Sequence, residues 1–345
     1  MISKSGLSQF CANRDILSFI SDPIGVYFPI RMRKTMGSRQ KPAAAIALSL
    51  ILSASAFPAA APATERQERA QPVYETRATY CSAPRTPSGR VDVERLLSEL
   101  VDVGANTYSF CIHAAPTDWD DLKLLLPRAR EKGIRVWASI VPPSESPPRL
   151  KAYAEPFRLD YERWAIEFAK LSVQETNLVA WSIDDFTHNL KFYTPDYVTK
   201  MLEGSHRINP RLAFVPCCYY PTITERFVTN YCSLIDGILF PYRHESAGSN
   251  LKDPSLVETE VNRIKELVGP GFPVILDIYA SAHSRLGATT ADYVEQAMIA
   301  GKQAADGVML YRHQDPVKDR EKYLVVKKLF RQWGSGRAKP TKKDR

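Results

Sequence analysis

The sequence predicts one α/β domain folded as a (β/α)8 barrel, and three observations carry that prediction. From Tyr74 onward, short β-prone apolar runs alternate eight times with segments whose apolar residues recur at helical spacing. The alternation fills about 260 residues, the ordinary size of such a barrel. The competing architecture, a doubly wound open sheet, would normally carry a glycine-rich phosphate loop after an early strand. Here that place is taken by Ser82-Ala-Pro-Arg-Thr-Pro-Ser-Gly89, a turn-rich loop.

The elements follow in order. Strand one is expected at residues 76–81, and its helix at 91–103 ends at Gly104, where a left-handed residue is wanted. Strand two, 107–113, leads to a helix at 119–132 that stops at Gly133. Strand three, 136–141, passes through a Pro-rich loop at 142–148 before a helix at 161–173. Strand four, 178–183, reads Leu-Val-Ala-Trp-Ser-Ile, the unbroken apolar run of a buried parallel strand. Its helix, 195–208, opens with Thr194 as cap and Pro195 in the first turn. Strands five and six fall at 212–217 and 237–242, with a helix at 254–268. Strand seven, 274–279, precedes a helix at 291–304 capped by Thr290, and strand eight, 307–311, precedes the last helix at 318–333.

The barrel domain is therefore expected over residues 73–335, with residues 1–62 as a leader. Arg31, Arg33, Lys34, Arg39 and Lys41 form a basic segment, residues 43–52 are apolar, and Ala54-Ser-Ala56 is an A-x-A cleavage pattern. That layout is a secretory signal peptide, too short in its apolar part to span a bilayer comfortably. A true start at Met32 or Met36 would give it ordinary proportions. The mature protein is expected to be secreted or periplasmic, with no stable membrane insertion after cleavage.

The formal charge of +8 sits mostly at the ends. Residues 1–42 carry about +5 and a basic tail at 336–345, expected to be disordered, about +4, which leaves the domain near −1. A nucleic-acid binder would concentrate its cations on a folded face, so nucleic acid is not an expected partner. Five cysteines follow the leader (Cys81, Cys111, Cys217, Cys218, Cys232), none at zinc-ligand spacing. Buried single thiols are the expectation, with a Cys81–Cys111 disulfide left open.

In a barrel, only the carboxyl ends of the strands and the loops after them face the active-site mouth. Strand four ends on Asp184 and Asp185. Adjacent carboxylates there repel and lose hydration, a cost that points to chemistry: one is pushed toward holding a proton while the other stays ionised. That combination suits glycosidic cleavage, and Asp184 and Asp185 are the expected catalytic residues. Around them Tyr80, His113, Asn189, Tyr219, Tyr242, Asp277, Tyr279, His283 and Tyr311 are expected to bind substrate. Aromatic rings and planar polar groups in one ring suit a polyhydroxylated ligand, so carbohydrate is the expected partner. No motif implies a metal or an organic cofactor. Carboxylates on one strand end are too close to oppose each other across a sugar, so a nucleophile from the substrate's own 2-acetamido group fits better.

The run Ile183-Asp-Asp-Phe-Thr-His-Asn189 resembles the Asp-Asp-x-x-His-Asn segment of the O-GlcNAcase-like β-N-acetylglucosaminidases, glycoside hydrolase family 84. Val215-Pro-Cys-Cys-Tyr219 is similar to that family's Pro-x-x-Tyr segment, and Pro273-Val-Ile-Leu-Asp277 to its Pro-Val-Ile-Trp-Asp segment. The resemblance implies a TIM barrel with substrate-assisted cleavage of a 2-acetamido sugar. It would give Asp184 the acetamido group, Asp185 the role of general acid, and Tyr219 a substrate contact. A barrel that binds carbohydrate or cell-wall material without turnover is the alternative.

Overall fold

The computed structural model describes residues 63–146, 154–283 and 285–335. The expected leader and basic tail lie outside the described residues, as does part of the loop after strand three.

Eight parallel strands alternate with helices as the sequence predicts. They are β1 (Thr76–Tyr80), β2 (Thr107–Ile112), β3 (Arg135–Ile140), β4 (Leu178–Ile183), β5 (Ala213–Phe214), β6 (Ile238–Tyr242), β7 (Val274–Tyr279) and β8 (Gly307–Tyr311). Their order in the sheet is β5-β4-β3-β2-β1-β8-β7-β6. The ends of that order meet through one parallel bridge, Cys217 to Leu239. Leu239 N donates to the Pro216 carbonyl at 3.0 Å and Cys218 N to the Leu239 carbonyl at 2.8 Å. The seam is narrow because Pro216 has no N–H to give a ladder.

Helix α1 (Ala63–Ala70) precedes the first strand and is not anticipated from the sequence. It braces the seam from the barrel floor. Arg69 Nε donates to Asp236 Oδ1 at 2.8 Å, both side chains being buried, while Asp236 Oδ2 accepts from Phe214 N at 2.9 Å. One carboxylate thus ties α1, β5 and the approach to β6 together.

A helix follows every strand: α2 (Val93–Val103), α3 (Asp118–Glu131), α4 (Tyr161–Gln174), α5 (Pro195–His206), α6 (Glu225–Tyr231), α7 (Val257–Val268), α8 (Ala291–Ala304) and α9 (Arg320–Gly334). Thr194 and Thr290 cap α5 and α8 by accepting from Tyr197 N and Tyr293 N, as expected. Gly104 closes α2 at φ 78°. Gly307 is needed for a different reason. A Cβ there would lie 2.8 Å from Thr76 Cβ and 2.9 Å from Ile275 Cδ1, across both neighbouring strands.

Two apolar layers result from the period of two along each strand. One lies between sheet and helices. The other fills the barrel with Ala78, Tyr80, Cys111, Trp137, Ala180, Ala213, Val215, Leu239, Ile275 and Met309, small residues alternating with large ones. The five cysteines are buried free thiols, Cys81 and Cys111 included. Among the described residues no helix is long and apolar enough to cross a membrane.

Candidate active site

Strand parity decides which side chains reach the mouth. Ala78 and Tyr80 on β1, Ala180 on β4, Leu239 on β6, Ile275 on β7 and Met309 on β8 face the interior. The same phase carries Asp184, Arg243, Asp277, Tyr279 and Tyr311 inward. Tyr242 belongs to the opposite phase, which corrects the expectation that it binds substrate. It is fully buried among the helix-side residues, where its hydroxyl donates to the Asp253 carbonyl at 2.9 Å and accepts from Leu256 N. Its neighbour Arg243 takes the inward position instead.

Asp184 still belongs to the sheet, since its N–H donates to the Ile140 carbonyl at 2.9 Å. Asp185 turns into the left-handed region at φ 44°, and a short 3-10 turn follows over Phe186–Asn189. That conformation is uncommon for a residue with a side chain. Phe186 anchors the turn from below, stacked on Tyr193 with ring centroids 4.9 Å apart. The reversal turns both carboxyl groups toward one place. Donor atoms of Asp184, Asp185 and Cys217 all lie within 4.8 Å of one another.

The two aspartates then diverge electrostatically. Burial and the neighbouring Asp185 charge push the Asp184 carboxyl up to about 6. Hydrogen bonds with Tyr80, the Asp185 N–H and Cys217 hold that rise in check. Burial acts on Asp185 too, but bonds from His188 and Tyr219 and the charges of His188 and Arg243 outweigh it. Asp185 is held below the usual carboxylate range. The Tyr219 hydroxyl donates to Asp185 Oδ1 in a short hydrogen bond, and His188 Nδ1 lies 3.6 Å from Oδ2. Burial pushes the Cys217 thiol well up, so a neutral thiol bonded to Asp184 accounts for the three-residue grouping and no ion is assigned to it.

Tyr219 is buried and packed by two groups. The His188 ring stacks on it at 4.1 Å with planes 5° apart, and the Arg243 guanidinium carbon lies 4.0 Å from its centroid. At 5 % exposure Tyr219 offers a sugar ring almost no surface to stack on. A second set of rings packs in an arc at the ends of β1, β8 and β7, with Tyr80 and Tyr279 buried and Tyr311 partly exposed. Tyr80 and Tyr311 have centroids 5.5 Å apart, Tyr311 and Tyr279 5.3 Å, and Tyr279 and His283 5.5 Å. His283 reaches this arc from a small hairpin after β7 that pairs Ala282 with Ala288.

The remaining expected residues serve the frame more than the cleft. His113 stands at the end of β2, where Asp118 Oδ2 accepts the N–H groups of His113, Ala114 and Ala115; burial pushes its ring below the usual histidine range. Asp277 is 3 % exposed and lies under the mouth. Burial and then Asp184 push its carboxyl well up, and its Oδ1 has no hydrogen-bond partner among the described residues. Asn189 spends its amide inside the protein. It donates to the Asp185 carbonyl at 2.9 Å and to Ser144 Oγ at 2.8 Å, and it accepts from Ser144 N at 3.1 Å.

That pairing brings in a residue to which the sequence alone assigns no role. Glu145 lies beside Ser144 on the 3-10 turn Pro143–Glu145 after β3, inside what reads as a Pro-rich loop. Burial, then the charges of Asp184 and Asp185, push its carboxyl up to about 9. Its position after a strand end was the available signal.

No family model and no curated protein matches the chain. Solved structures do. A GH2 β-galacturonidase from Eisenbergiella tayi, bound to galacturonate, superposes with a TM-score of 0.51 at 13% identity, over 75% of this chain and 51% of that one. The catalytic domain of a Thermobifida fusca endoglucanase, in complex with cellotetraose, gives 0.51 at 11% identity, over 75% and 92%. A family 39 glycoside hydrolase from Bacteroides cellulosilyticus gives 0.51 at 9% identity, over 78% and 65%. The chain spans about half the length of the galacturonidase. What it has in common with all three is the barrel fold.

Proposed function

We propose that the chain hydrolyses glycosidic bonds at this mouth, with Asp184 and Asp185 as its working carboxyl groups. The observation that carries the reading is the pair's unequal surroundings: Asp185 takes the Tyr219 hydroxyl with His188 and Arg243 close by, while Asp184 is buried beside that charge and is pushed toward holding its proton. Cleavage needs a proton for the leaving oxygen and negative charge against the oxocarbenium-like transition state. Asp184 supplies the first and Asp185 the second. The motif resemblance distributes these roles the other way, but the electrostatics of the site favour Asp184 as the acid and Asp185 as the anion.

Because both groups stand on one strand end, they do not flank an anomeric carbon from opposite sides. A 2-acetamido sugar, whose own carbonyl oxygen attacks C1, is the substrate class this geometry favours. Glu145, neutral up to about 9, would face such a sugar as a hydrogen-bond donor and not as a third charge. Within the tyrosine arc, the partly exposed Tyr311 would take the sugar's C–H face. From the basic segment, apolar run and A-x-A pattern we further infer that the protein is exported.

Turnover of a panel of aryl glycosides by the full chain, followed against pH, tests the function. Hydrolysis is expected for a 2-acetamido glycoside, rising as Asp185 ionises and falling as pH passes about 6 and Asp184 loses its proton. A protein inert on the whole panel but retained on a sugar column would be a binding barrel.

A further inference from the structure

We propose that Arg243 is a positioning residue that clamps Tyr219 against Asp185, and so makes Asp185 the fixed anion of the pair. This rests on the pair being the working site, but no turnover is needed to test it. Arg243 comes off the end of β6 on the inward phase and is 8 % exposed. Its guanidinium carbon lies 4.0 Å from the Tyr219 ring centroid, and the His188 ring stacks on the same phenol at 4.1 Å, so the phenol is packed by both groups. So packed, the Tyr219 hydroxyl donates to Asp185 Oδ1. Glu245, paired with Arg243 through a short bond and itself buried, holds the guanidinium in place.

This packing crosses the barrel seam. Asp185 follows β4, Tyr219 follows β5 and Arg243 ends β6, and β5 and β6 meet at one bridge. The Tyr219 backbone is fixed after β5 by its N–H on Thr187 Oγ1 at 3.0 Å and by its carbonyl, which accepts from Thr222. That leaves the ring and hydroxyl to be held by Arg243, His188 and Asp185. Arginine suits this place better than lysine, since a planar cation can lie on a ring while its edge pairs with a carboxylate.

The groups that face Asp185 are few. Asp184 lies on its own strand end, Glu145 on the turn after β3, and His188 on its own 3-10 turn. Cys217 and Tyr219 face it from beyond β5, Arg243 from β6, and His283 from the hairpin after β7. Asp184, Glu145 and a buried neutral thiol do not favour the anion. Arg243, Tyr219 and His188 do.

Carboxyl-carbon NMR titration of the full chain, with labelled aspartate assigned by Asp185→Asn, tests the clamp. Removing the cation together with its partner, in the double variant Arg243→Met, Glu245→Gln, is expected to raise the Asp185 midpoint by about one pH unit or more. Tyr219→Phe should raise it as well. Adding the double variant to Tyr219→Phe should raise it clearly less than in the wild-type background, because only the direct charge of Arg243 is then left to lose and the part that acts through the phenol is already gone. Arg243→Lys leaves Glu245 paired and is the milder change, with a smaller upward move expected. An Asp185 midpoint that stays put in Arg243→Lys and in the double variant would overturn the proposal. So would a full rise in the Tyr219→Phe background, which would mean a direct charge effect and no clamp.

Discussion

Asp184 and Asp185 are neighbours in sequence, yet one is pushed toward its proton and the other toward its charge. The difference comes from what each carboxyl meets after the backbone reverses at Asp185: Tyr80, Cys217 and the interior for one, Tyr219, His188 and Arg243 for the other. Glu145 completes the set as a carboxyl kept neutral by burial and by that pair. Its consequence for stability has a definite sign. A carboxyl pushed from its ordinary value near 4.5 up to about 9 favours the folded state only while protonated. That contribution is full below the ordinary value and is lost as pH rises toward 9. Glu145→Gln, neutral throughout, should therefore melt with wild type at pH 4 and above it at pH 8. The three carboxyls share their repulsion, so the gain at pH 8 should be on the order of 1 kcal/mol, or about 2–4 °C in Tm. Thermal melts of both proteins at the two pH values check this.

Elements were legible where the period of two or of 3.6 runs long enough. All eight strands and most of their helices stand within a few residues of their expected ends, and both threonine caps hold. Strand five is shorter than expected because Pro216 breaks it. Helix α6, helix α1 and the hairpin carrying His283 are short or lie outside the alternation, so no periodicity announces them. Tyr242 was within reach of the sequence: Leu239 and Arg243 share a face that Tyr242 cannot share. Glu145 was legible only as a residue after a strand end; its place beside the pair depends on the contact of Ser144 with Asn189, on two turns 45 residues apart. That contact makes Asn189 a brace between the turns after β3 and β4, where the sequence suggested a sugar ligand. Asn189→Ala should cost about 1–3 kcal/mol in urea melts, since it abandons buried partners. It should lower kcat while leaving KM for the sugar little changed. A raised KM at unchanged stability would return Asn189 to the substrate.

At the scale of the whole molecule, the barrel brings groups from β1, β4, β6, β7 and β8 to one mouth, and the count of eight was the most legible feature of the chain. The division of labour within the pair was not legible, because it depends on Arg243 and His188 approaching from different directions. It also decides which carboxyl delivers the proton. The most direct measurement compares two substrates of one sugar, an aryl glycoside with a good leaving group and an alkyl glycoside with a poor one, using Asp184→Asn and Asp185→Asn. Loss of a proton donor hurts the poor leaving group most, by about 10²–10⁴-fold, and largely spares the good one. Loss of the stabilising charge hurts both alike. The expected result is a strong leaving-group dependence for Asp184→Asn and none for Asp185→Asn; the reverse pattern, or equal losses in both variants, would contradict the assignment.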